Sequence, residues 1–134
     1  MVRKLFVNLP VRDLERSKTF FAALGFSFNP QFTDQNAACM VVGPENHVML
    51  LTEPFFAGFT PRPVADARQV SEVLVAFDCA SRAEVDEMLA RALAAGGSEP
   101  RPARDYGFMY QRTIEDPDGH LWEPFWMDPA HVQP

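Results

Sequence analysis

Cysteine is scarce in this chain, with only two residues, Cys39 and Cys79. Each lies inside or at the end of an apolar run, which argues against a disulfide framework and for buried, reduced thiols in a reducing compartment. Long apolar runs are missing as well. No stretch reaches the roughly eighteen apolar residues that a membrane span needs, and no basic leader precedes an apolar stretch and a cleavage site. A cytoplasmic location without a membrane partner is the expectation. Basic charge is short too: 12 Lys and Arg stand against 18 Asp and Glu, for a net charge of −6. That balance repels phosphate backbones and supplies no basic stripe, so nucleic acid is not expected as a partner. An acidic surface could favour a cationic ligand, but acidity is first of all the ordinary device that keeps a small protein soluble.

Apolar material for a core is plentiful: 47% of the 134 residues are hydrophobic, the size and composition of one domain spanning 1–134. Residues 3–9 read as a strand that stops at Pro10, where the ladder donor is lost. Asp13 is placed to cap a helix whose broad apolar face is Leu14, Phe20, Phe21 and Leu24, with Gly25 as its left-handed terminator. Strand-like runs follow near 26–29, 37–42 and 47–52, separated by Asn-Pro and Gly-Pro-Glu-Asn turn signals. Module one is thus βαβββ over about 3–53. A looser stretch at about 54–70 contains Pro54, Pro61 and Pro63 with the exposed-looking Phe55, Phe56 and Phe59, and reads as a linker.

The order then repeats over about 71–128. A strand at 72–77 precedes the capping box Ser81-Arg82-Ala83-Glu84, in which serine and glutamate satisfy free helix N–H groups. Val85, Met88, Leu89, Ala92 and Leu93 supply the helix's apolar face, and Gly96-Gly97 end it. Runs near 98–101, 108–114 and 120–127 close the module, the last two joined by the Asp116-Pro117-Asp118-Gly119 turn. The repeat predicts an α+β fold: two βαβββ modules forming a curved mixed sheet of about eight strands around a concave cavity, with helices outside.

The opening Phe6-Val7-Asn8-Leu9-Pro10-Val11-Arg12-Asp13-Leu14-Glu15-Arg16-Ser17, the following Phe20-Phe21 and Leu24-Gly25-Phe26, and the closing Glu115-Asp116-Pro117-Asp118-Gly119-His120-Leu121-Trp122-Glu123 resemble the vicinal-oxygen-chelate superfamily. That superfamily holds glyoxalase I, bleomycin-resistance proteins and extradiol dioxygenases. The likeness covers nearly the whole chain and is nearest to a bacterial lactoylglutathione-lyase-like subgroup. It implies a divalent metal, acting as Lewis acid on vicinal substrate oxygens, held by side chains of four strands. The matching positions are Phe6, Leu50, Glu72 and Glu123, of which only Glu72 and Glu123 can ligate a metal. With Asn8 and Thr52 they would make an all-oxygen site for a hard cation. A cavity without metal stands equally open, so the cofactor is either a weakly bound divalent metal or none. His47 in a turn, His120 after Gly119 and His131 in the tail match no ligand position, which disfavours the two-histidine dioxygenase arrangement.

Glu123, between Trp122 and Pro124 in an apolar strand, needs compensation if buried: a ligand, a catalytic role with a raised pKa, or an ion pair with Arg112. Glu72 opens its strand, so exposure is its plain alternative. By alternation Phe6 and Phe125 share the face of Asn8 and Glu123, while Trp122 and Trp126 point away. Phe6, Asn8, Leu50, Thr52 and Phe125 are therefore the expected ligand-binding residues, and Glu72 and Glu123 the expected catalytic or metal-binding ones. Two functions remain open: a metal-assisted lyase or isomerase on a small oxygenated or thiol-conjugated substrate, and a metal-independent sequestration protein of the bleomycin-resistance type. Unburied phenylalanines and open sheet edges predict a homodimer.

Overall fold

The computed structural model describes residues 1–131. The chain divides into two compact units, Met1–Asp66 and the part from Ala67 onward. Each is built on its own mixed sheet, with four strands in the first and five in the second.

In the first unit, β1 (Leu5–Val11) leads to α1 (Leu14–Ala23), then β2 (Ser27–Phe28), a single 3₁₀ turn (Pro30–Phe32), β3 (Ala37–Val41), β4 (Asn46–Thr52) and α2 (Glu53–Ala57). The strand order is β1-β4-β3-β2, with β1 parallel to β4 and the other pairs antiparallel. β1 does not stop at Pro10 as the sequence suggests; it runs through to Val11. Because β1 is an edge strand, a missing N–H on its open side leaves no ladder bond unmade. The Asp13 carboxylate accepts the Arg16 amide at 3.1 Å and fixes the start of α1. Gly25, at φ +102°, ends the helix in the left-handed region. α1 packs on β3 and β4, and Leu14, Phe20, Phe21 and Leu24 are buried together with Leu9, Val11, Ala38, Met40, Val48 and Leu50. Each large side chain so buried contributes roughly 1.5–3 kcal/mol.

The second unit runs β5 (Leu74–Asp78), α3 (Arg82–Ala94), β6 (Arg104–Asp105), β7 (Met109–Gln111), β8 (Ile114–Glu115) and β9 (Leu121–Met127). Its order is β5-β9-β7-β6, and β8 also pairs with β9. The capping box forms: Ser81 Oγ accepts the Glu84 amide at 3.1 Å, and Glu84 Oε1 accepts the Ala80 amide at 3.0 Å. Val85, Leu89 and Ala92 are buried, whereas Leu93, expected on that face, is exposed. The expected strand at 98–101 shrinks to one bridge, Ser98 to Glu115. The run at 108–114 breaks into β7 and β8, with Arg112 and Thr113 between them.

The turn before β9 is organised by Asp116. Its Oδ1 accepts the amides of Asp118 and His120, both at 2.9 Å, and its Oδ2 accepts Trp122 Nε1 at 3.0 Å. His120 is therefore a buried turn residue rather than a surface one. No helix among the described residues is long and apolar enough to cross a membrane.

Candidate ligand cleft

The β1–β4 register decides which side chains share a face. Leu9 lies beside Leu50 and Val11 beside Thr52, while Phe6 lies beside His47, Asn8 beside Met49 and Pro10 beside Leu51. Because alternate residues point to opposite faces, Leu50 and Thr52 project with the α1-side core and not with Asn8. Leu50 is fully buried there. This corrects the expectation that Phe6, Asn8, Leu50 and Thr52 line one cavity, since a parallel pair can shift by one residue without changing either strand's own alternation.

The face carrying Asn8 is covered by a segment expected to be a linker. Its first residues, Glu53–Ala57, form α2, which packs against β1 and β4. Pro54 stands in the first turn of that helix, where its missing N–H is tolerated. Arg12 pins the segment at both ends, with Nε 3.4 Å from Glu53 and its terminal nitrogen 3.0 Å from Asp66. Phe55 and Phe59 meet edge to face at 5.1 Å. Between this aromatic cluster and the sheet lies a cleft of about 500 Å³ lined by Asn8, Met49, Leu51, Phe55, Phe56, Phe59 and Thr60. Phe55 is 38% exposed and Phe59 71%, so the rings are available to a ligand. Met49, Leu51 and Thr60 carried no sequence signal of a site. The three phenylalanines did, as apolar residues with no evident burial.

Next along the same face, Phe6 stacks on His47 with ring centroids 4.6 Å apart and planes 11° off parallel. His47 is inside β4 and 8% exposed, not in the preceding turn. Its Nδ1 is buried without a hydrogen-bond partner among the described residues.

The remaining predicted residues belong to the second unit. Glu123 and Phe125 alternate on one face of β9 beside Ala76 and Asp78, and both are half-buried. Trp122, on the opposite face, is buried. Glu72 precedes β5 and is exposed. The ion pair considered between Arg112 and Glu123 does not form: Arg112 donates to Glu99 at 2.7 Å and to Asp86 at 2.8 Å. Those bonds, led by Glu99, hold the guanidinium firmly in its charged form against the opposing effect of burial. The Glu123 carboxylate has no hydrogen bond or ion pair among the described residues.

The metal set implied by the resemblance does not fit these residues. Phe6 and Leu50 offer no donor atom, Leu50 faces the core, and Glu72 stands exposed outside its strand. Among the described residues no three His, Cys, Asp or Glu side chains gather as a metal site.

Residues 3–43 match the family described as bleomycin resistance protein-like N-terminal. Among curated proteins no sequence match is found. Solved structures are similar over almost the whole chain. A hypothetical protein from S. aureus has a TM-score of 0.80 at 25% identity, with 94% of each chain covered. A glyoxalase/bleomycin resistance protein/dioxygenase family enzyme from Burkholderia phytofirmans PsJN gives 0.77 at 16% identity, covering 94% of this chain and 99% of that one. Fosfomycin resistance protein FosX from Mesorhizobium loti gives 0.70 at 18% identity, with 97% of each chain covered.

Fold and cleft together define an α+β protein of repeated modules whose first unit holds a cavity of small-molecule size. The N-terminal match is to a bleomycin resistance protein-like family over residues 3–43, and the fold is the one shared with solved structures labelled glyoxalase, bleomycin resistance protein and fosfomycin resistance protein.

Proposed function

We propose that this protein binds and sequesters a small aromatic molecule in the first-unit cleft, with no metal required. The observation that carries the reading is the lining: Phe55, Phe56 and Phe59 close over Met49 and Leu51, with Asn8 and Thr60 as the polar groups. Apolar walls with a few placed polar groups are what a preformed small-molecule site offers. A two-ring ligand covering about 150 Å² of apolar surface would gain roughly 4 kcal/mol, near millimolar affinity, so polar contacts must supply the rest. Naphthalene titrated into ¹⁵N-labelled protein tests this. Amide shifts confined to residues around Asn8, Met49, Leu51 and 55–60 support the cleft, and shifts elsewhere or none refute it.

A second reading is an enzyme, a lyase or isomerase on a small oxygenated or thiol-conjugated substrate. One observation favours it: Glu123 is a half-buried carboxylate without a protein partner among the described residues, the condition of a general base awaiting substrate. Turnover of the hemithioacetal of glutathione and methylglyoxal, abolished by Glu123→Gln, would establish it.

We also propose a homodimer and a cytoplasmic setting. The dimer is supported by the open edge of β1, with Leu5 exposed, and by exposed Leu74 on edge strand β5. The setting is supported by two buried free thiols. Sedimentation velocity showing a monomer at high concentration would overturn the dimer.

A further inference from the structure

His47 is polar, 8% exposed, and placed on the sheet face that forms the floor of the cleft, one pleat from Asn8 and Met49. Its Nδ1 is buried and has no hydrogen-bond partner among the described residues. Nearly all buried polar atoms are paired, and one left unmade carries its full desolvation penalty. An apolar residue in β4 would avoid that penalty, so the orphan nitrogen calls for a partner from outside the chain.

The surroundings say what kind of partner. On the neighbouring strands His47 is flanked by Phe6 and Val41, neither of which offers a side-chain polar atom. Phe6 lies flat against the imidazole, stands on edge strand β1 and is 43% exposed. Its ring has no other aromatic contact among the described residues and stands partly in solvent, so a χ1 rotation would uncover that side of the imidazole. In the Nε2–H tautomer the buried Nδ1 carries a lone pair, an acceptor without a donor.

We propose that His47 is the hydrogen-bonding anchor of the cleft: Phe6 swings aside, and the ligand is an aromatic molecule bearing a hydroxyl or ring N–H that donates to His47 Nδ1. The inference rests on the sequestration reading and deepens it by naming the ligand class. The ligand's flat ring occupies the phenylalanine-lined space, and its donor reaches the imidazole at the end of the same face. Discrimination between a phenol and its parent hydrocarbon then comes from His47, because a hydrocarbon leaves Nδ1 unpaired.

Two probes of equal shape test this, 2-naphthol and naphthalene, titrated into the full chain while long-range ¹H–¹⁵N spectra follow the His47 ring nitrogens. The parent should bind 2-naphthol about fivefold to tenfold more tightly than naphthalene, and 2-naphthol alone should move the Nδ1 resonance. His47→Phe keeps an aromatic ring against Phe6 and should bring the ratio to about one. Should that variant fail to fold, the Nδ1 resonance of the parent decides by itself. Equal binding of both probes by the parent, or an unmoved Nδ1 resonance, overturns the His47 assignment and leaves the cleft standing. Binding of neither probe overturns the cleft reading and this inference with it.

Discussion

Arg112 is held by Glu99, its Nε 2.7 Å from Oε2, in a pair whose side chains are 21% and 24% exposed. The arginine that sequence proximity offers to Glu123 is thus already engaged. Truncating it as Arg112→Ala strands Glu99, while the exposed Asp86 keeps the Tyr110 hydroxyl as a donor, and should destabilise the fold by about 1–3 kcal/mol, less than a fully buried pair would. Glu123→Gln should change stability by less than about 0.5 kcal/mol, because no protein partner is lost. Urea denaturation of both variants checks the contrast, and a large loss in Glu123→Gln alone would mean that the carboxylate is structurally paired.

Gly119 has φ +94°, and a Cβ there would lie 2.7 Å from Arg68 Cγ and 2.8 Å from the Arg68 amide nitrogen. Gly119→Ala combines left-handed strain with a collision against backbone, so it should cost about 1–3 kcal/mol. A thermal melt that matches the parent would show that the Ala67–Arg68 segment yields freely.

Burial pushes the Cys79 thiol up from 9.0 to about 12, with Glu84 and Asp78 adding to the effect, and burial alone raises Cys39. Both should therefore resist iodoacetamide at pH 8 in the native protein and react once it is unfolded. The sign for stability follows from linkage. An acid whose folded pKa is raised favours the protonated native state, so stability should fall as pH climbs from about 9 towards 12. Mass spectrometry of alkylated native protein and melts across that window read the two outcomes.

The repeat of modules, the caps at Asp13 and Ser81 and the turn at Asp116–Gly119 are local signals, and they were legible because a single segment carries each. The alternation of Phe6 with Asn8 was legible for the same reason. What placed Leu50 opposite Asn8 is a register between two distant strands, which neither strand's own pattern encodes. His47 was misplaced in a turn because Gly-Pro-Glu-Asn lies just before it, although β4 begins at Asn46. α2 was hidden by Pro54, read as a breaker where it is a helix start.

The phenylalanine-lined cleft of the first unit is proposed to bind an aromatic ligand without metal. Calorimetric titration of 2-naphthol into chelator-treated protein, its metal-restored counterpart and the Phe55→Ala/Phe59→Ala double variant tests it most directly. Both rings are partly exposed, so the double variant should fold with little loss. The account predicts equal affinity with and without metal and at least about a tenfold loss in the double variant, since two ring contacts go. Binding that appears only after a divalent metal is restored, and that the double variant retains in full, would contradict it.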